Sequence, residues 1–341
     1  MVDNLSNYKI SVLITFYNQE AYVDRALESI FSQHADFKIK LIIGDDGSSD
    51  NTVNKINEWM QKYPDSIELY IMERGKEKPV AGFRTSKNRL NILSKVKTKY
   101  FIFLDGDDYF SDNNKLQMQY EILENQDNYD CIGCAHNIEA LFNDGTVKPY
   151  INLSIPEGKY GIKEYWKKLY FHTDTILFRS EVINKLDLNL LEHQYNDNMI
   201  TFSAMQFGKL YYIPKFMAVY AQTGNGIWTT GNLITNNLRN IFLYDISNKL
   251  NPSLKSETNM RFASSWRALF KYRKSIEINN GFLKEADEKQ LYYSKLWSNY
   301  PNLSKKEKMA LFIKSLGFLA IYHWKRIKKI PRKISRHIKH A

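Results

Sequence analysis

The stretch Tyr100-Phe-Ile-Phe-Leu-Asp-Gly-Asp-Asp108 leaves this chain few ways to fold. An apolar run without a polar face needs cover on both sides, as a strand has in a parallel sheet flanked by helices. The run then empties into three carboxylates, Asp105, Asp107 and Asp108, separated by one glycine. Carboxylates crowded at one strand end repel one another unless a cation compensates them. Hard oxygen ligands suit Mg2+ or Mn2+, which keep waters and take one or two protein carboxylates together with substrate phosphates. Asp105-x-Asp107 is therefore the first candidate for a cation-bearing site. The ordinary alternative for so short a pattern is a solvated acidic turn.

The preceding segments fit the same architecture. Lys9–Tyr17 is a β-branched, apolar strand, and Tyr22, Val23, Ala26, Leu27, Ile30 and Phe31 recur at helical spacing after it. Ile39–Ile43 predicts a second strand running into Gly44-Asp-Asp-Gly-Ser-Ser-Asp50, where Ser49 or Asp50 can cap a helix carrying Val53, Ile56 and Trp59. Ile67–Met72 predicts a third strand, and Ser86 can cap a helix through Leu90, Leu93 and Val96. Such alternation is the doubly wound α/β pattern, in which ligands sit outside the carboxyl ends of the strands. Three strand ends, Thr15–Glu20, Asp45–Asp50 and Asp105–Asp108, offer acceptors or free backbone N–H groups there. The first has no Gly-x-Gly-x-x-Gly turn and no P-loop is present, which excludes two common nucleotide sites.

Beyond Asp108 the pattern predicts a helix over Asn114–Glu124, strands at Asp130–Ala135, Val147–Leu153 and Leu210–Pro214, and a segment Thr175–Glu181. Cys131 and Cys134 lie near His136 but have no second Cys pair, so buried strand thiols fit better than zinc. The net charge of +11 suggests nucleic acid at first sight. Positions 305–341, however, hold 12 Lys and Arg against Glu307 alone, leaving 36 basic and 36 acidic residues in the body. A neutral body disfavours an RNA-binding protein.

Four motifs in order, Ser11–Glu20, Ala26–Gln33, Ile43–Asp50 and Leu104–Asp108, resemble the family 2 glycosyltransferases of GT-A fold, a Rossmann-like doubly wound mixed sheet. The resemblance covers residues 9 to about 225. It implies transfer from a nucleotide-activated sugar, most often a UDP-sugar, with inversion at the anomeric carbon. On that resemblance Thr15, Phe16, Tyr17, Asn18 and Glu20 line the nucleotide pocket, and Asp46, with Gly47 and Ser48, meets the uracil. Asp105 and Gly106 lie near the ribose, and Asp107 holds Mn2+ or Mg2+ on the diphosphate. Lys87, with Arg84 and Asn88, is a further donor-side candidate. The acceptor-facing helix of the family begins with an acidic pair whose Asp is the general base. Here Asp197 takes that position and Asn196 replaces the usual Glu, while Gln222 and Thr223 stand where many relatives carry a His. Trp228 could cover a sugar or the donor, or simply be buried.

This reading divides the chain into a catalytic domain over 1–230, with a nucleotide-sugar half 1–110 and an acceptor half 111–230, a helical extension 231–304 and a basic amphipathic tail 305–341. Met309–Trp324 is apolar but short for a membrane span and interrupted by Lys314, and 325–339 is densely basic. That order suits anchoring on an anionic membrane surface. The polar start, Met1–Lys9, lacks a signal-peptide run, so the expected place is the inner face of the cell membrane. The expected acceptor is a lipid-linked or polymeric glycan; the rival readings are a nucleotidyl- or phosphotransferase and an inactive nucleotide-sugar-binding scaffold.

Overall fold

The computed structural model describes residues 7–74, 81–192, 198–223, 233–271, 304–306 and 308–309. The chain divides into two compact units, Met1–Thr230 and Gly231–Ala341. The first is built on a ten-stranded mixed sheet. Strands β1 (Tyr8–Phe16), β2 (Lys38–Asp45), β3 (Ile67–Ile71) and β4 (Tyr100–Asp105) are mutually parallel in the order β3-β2-β1-β4. The order continues β9-β6-β10-β5 through β9 (Leu177–Arg179), β6 (Cys131–Leu141), β10 (Lys209–Ala221) and β5 (Tyr109–Phe110). Two further strands, β7 (Val147–Ile151) and β8 (Gly158–Tyr160), pair with β6 and β10.

Burial explains why β1 and β4 sit centrally. Ile10, Val12, Leu13, Ile14, Phe101, Ile102, Phe103 and Leu104 are all buried, so both faces of each strand are covered as the apolar runs require. One cover is helix α1 (Val23–Phe31), which buries Val23, Ala26, Leu27 and Ile30, the stripe read from the sequence. Each such aliphatic side chain is worth about 1.5–3 kcal/mol of transfer free energy, so Leu27→Asp would break this layer.

Helix α2 (Thr52–Lys62) starts two residues after Asp50, whose Oδ1 accepts from Thr52 N at 3.0 Å. Helix α3 (Ala81–Leu93) departs from expectation: it begins well before Ser86, which lies inside it. Its side chains explain the change. Asn88 is buried and donates to Gly44 O at 3.0 Å, while Arg84 and Arg89 reach strand-end carboxylates. These tertiary anchors outweigh a local capping preference.

The following elements are α4 (Lys115–Glu124), α5 (Ile162–Lys168), α6 (Leu188–Glu192) and α7 (Asn198–Ala204). Strand β10 runs past Pro214, where the sequence suggested a strand end. Its pairing with β6 shifts register between Ile213 and Phe216, which accommodates a residue with no N–H to donate. Cys131 and Cys134 are free thiols buried in β6. Within the second unit, helices α8 (Leu233–Leu250) and α9 (Lys255–Lys271) pack on one another. Most of the tail expected to meet a membrane lies outside the described residues.

Candidate functional site

Register gathers the three loops. At the carboxyl end of β1, Thr15 has Gly44 of β2 on one side and Asp105 of β4 on the other. Backbone bonds extend this alignment into the loops, with Gly106 N donating to Thr15 O at 3.1 Å and Asp46 N to Phe16 O at 2.9 Å. Phe16 is buried, and its ring lies against Gly106.

The loops after β1 and β2 are bonded directly together. Asn18, at φ 49°, donates its N–H to Ser48 Oγ at 2.9 Å and accepts from Ser49 N at 2.8 Å. Glu20 accepts from Asn51 N at 2.7 Å and gives its own N–H to Asp50 Oδ2 at 3.1 Å. Asp45 accepts from Ser48 N and Ser48 Oγ at 2.8 and 2.5 Å. This bond set closes the turn that Gly47 passes at φ +71°, where a side chain would strain the backbone and crowd Met72 O.

Asp46 is held by two guanidinium groups. Arg74 donates to its Oδ2 at 2.8 Å and to its backbone O at 2.6 Å, while Arg84 Nε donates to its Oδ1 at 2.6 Å. Arg74 also lies over the Tyr17 ring, 3.5 Å from its centroid. A carboxylate has about four lone-pair positions, so Asp46 retains acceptor capacity for a ligand N–H. Arg89 pairs with Asp105. Burial works to push Asp105 up, but the charge and hydrogen bond of Arg89 outweigh it and hold the carboxyl below its usual range.

Among the described residues no such cation pairs with Asp107. Its Oδ2 meets the Thr223 hydroxyl at 3.3 Å, and burial together with the neighbouring Asp105 charge pushes its carboxyl up to about 6. Arg25 donates to the backbone O of Asp107 at 2.7 Å, fixing the turn from the α1 side. Behind it, Asp108 is wholly buried and accepts from Ala221 N at 2.7 Å, tying the turn to the end of β10. Strand β9 is antiparallel to β4, so the turn Thr173–Thr175 before it falls beside these acids.

Thr15, Tyr17, Asn18, Glu20, Asp46, Gly47, Ser48, Asp105, Gly106 and Asp107 thus share one sheet edge, at the ends of β1, β2 and β4. Lys87 is exposed on α3, whose contacts to the strand ends come from Arg84, Asn88 and Arg89. Asp197, Asn196 and Trp228 lie outside the described residues. Sequence reasoning missed Arg74 and Arg89. Arg74 had a usable signal, since it stands three residues past β3, at the edge where β1, β2 and β4 also end.

A family model described as glycosyl transferase family 2 matches residues 11–187. Among curated proteins, an uncharacterized protein of Mycobacterium bovis is 23% identical over 220 residues, covering 64% of this chain and 60% of that protein. The chain therefore spans about three fifths of the length of the first relatives it matches. The teichoic acid poly(glycerol phosphate) polymerase of Staphylococcus epidermidis is 25% identical over 215 residues, covering 62% of this chain and 27% of that protein. Among solved structures, S. aureus TarS 1-349 in complex with UDP superposes with a TM-score of 0.58 at 14% identity, covering 95% of this chain and 93% of that one. At that identity the likeness establishes a shared GT-A-type fold.

Proposed function

The chain belongs to glycosyl transferase family 2, and on that premise we propose that it moves a sugar from a nucleotide sugar, of the UDP type, to a lipid-linked or polysaccharide acceptor in cell-surface glycan biosynthesis. The observation that carries this reading is the convergence of Asp46, Asp105 and Asp107 at the carboxyl ends of two strands that flank β1. The teichoic acid polymerase among the relatives and the UDP bound by TarS support the choice of donor and pathway class.

In this reading Asp46 accepts from the imide N–H of the base, and Tyr17 with Arg74 forms a flat cationic surface beside it. Asp105, kept ionised by Arg89, accepts from the ribose hydroxyls. Asp107 fits a cation, because its partly exposed carboxylate lies in an acidic turn with only a hydroxyl against it among the described residues. Mn2+ or Mg2+ on Asp107 would neutralise charge on the departing diphosphate. Asp197 removes the proton from the acceptor hydroxyl as that oxygen attacks from the face opposite the leaving group, so the product is inverted.

The test is to incubate the full chain with a panel of nucleotide sugars and follow release of nucleoside diphosphate. Release should need a divalent ion and disappear in Asp107→Ala. Asp197→Asn should lose ~10²–10⁴ in rate with donor affinity nearly unchanged. Full activity in excess chelator, pyrophosphate as product, or retained configuration by NMR would each overturn the reading.

A further inference from the structure

We propose that Asp108, His172 and Asp174 form a second divalent-cation site, separate from Asp107, that takes a transition-metal ion of the Mn2+ or Zn2+ class. One ligand atom from each of the three residues lies within 4.8 Å of the others. Ligands about 2.0–2.2 Å from one ion stand roughly 3–4.4 Å apart, a spacing this set approaches.

The second observation is what these acids lack. Asp108 and Asp174 are both 0% exposed, and among the described residues Asp108 Oδ2 and both carboxylate oxygens of Asp174 have only each other and the His172 ring beside them. Buried carboxylates are ordinarily paired with a cation or hydrogen-bonded by firm donors, and leaving two of them to face one another is costly. Nearby cations are engaged elsewhere. Arg89 pairs with Asp105, and Lys115 Nζ donates to Gln119 Oε1 at 2.7 Å. His172 Nδ1 stands 3.5 Å from Asp174 Oδ2, and its ring packs against Tyr220.

The donor set selects the ion. Mg2+ and Ca2+ favour oxygen alone, whereas one imidazole with two carboxylates suits Mn2+ or Zn2+. Bound there, the ion joins three separate segments: the turn after β4, the turn Thr173–Thr175 and, through the Ala221 N–H on Asp108, the end of β10. It acts as a strut beneath Asp107. The site uses no nucleotide and does not depend on the sugar-transfer reading.

The full chain is freed of metal with a chelator, dialysed, and titrated without nucleotide against Mn2+ and, separately, Zn2+. With no diphosphate to complete the Asp107 site, wild type and Asp107→Asn should each bind one ion per chain, and pulsed EPR of the Mn2+ form should show ¹⁴N coupling from the imidazole. In His172→Gln that coupling should vanish and affinity fall at least ~10-fold. Two results overturn the proposal: neither ion bound in Asp107→Asn, or Mn2+ bound with no nitrogen coupling in wild type. Either leaves Asp108 and Asp174 sharing a proton in place of a metal. The wild-type spectrum decides the question even if a variant misfolds. Because no donor is present, failure here leaves the transfer assay standing, and failure of that assay leaves this result standing.

Discussion

A methyl group at position 106 would sit 2.4 Å from the Phe16 ring and 2.6 Å from Gln19 Oε1. Phe16 is 1% exposed and cannot swing away, so the turn between Asp105 and Asp107 must move instead. Gly106→Ala should therefore cost about 1–3 kcal/mol by overpacking. A thermal melt lowered by several degrees, together with weakened UDP binding by calorimetry, is the expected result. Unchanged values in both would show the turn to be looser than this packing implies. The strand-end acids were legible in the sequence because they cluster where an apolar run ends, as Asp105 follows Leu104. Which cation pairs with which acid was not. Arg74 and Arg84 reach Asp46 across 28 and 38 residues, and no local pattern reports such a pairing.

At the scale of an element, helix α4 carries a cost inside the core. Lys115 is 0% exposed, bonded to Gln119 and lying over the Phe110 ring, 4.3 Å from its centroid. Burial lowers its ammonium to about 7 from 10.5. Between those values the unfolded chain holds a proton that the native chain has released, so stability rises with pH. Below about 7 both states hold the proton and this slope ends. Denaturant melts of wild type should show added stability from pH 7 to 10, and Lys115→Met should flatten that slope; equal slopes would exclude Lys115 as the source. The helix itself was readable from its polar start at Asn114, but the depth of Lys115 was not. Lysine at a helix start ordinarily reaches solvent, and here α4 turns that first residue inward. Strand β10 posed a similar problem, since Pro214 reads as an end unless a register shift is known to absorb it.

For the whole molecule, charge is distributed by segment, with a neutral body and a basic terminal stretch. No helix among the described residues is long and apolar enough to cross a membrane. We propose that residues 305–341 hold the chain on an anionic surface, each Lys or Arg near it adding about 1 kcal/mol. Changing the eight Lys and Arg of 325–339 to Gln should abolish most sedimentation with phosphatidylserine vesicles while UDP release from the donor persists. Undiminished sedimentation would remove the anchor. The sheet order could not be read from the sequence beyond β4, because β9 is three residues long and joins β4 to β6 only through tertiary pairing. The interlocked loops after β1 and β2 bear on how such enzymes can be recombined. Asn18 and Glu20 bond to Ser48, Ser49 and Asn51 across a gap of about thirty positions. A graft that imports either loop alone from a relative would leave unmatched partners on the other, so, on the donor-binding role proposed for them, the two loops transplant only together as one cassette.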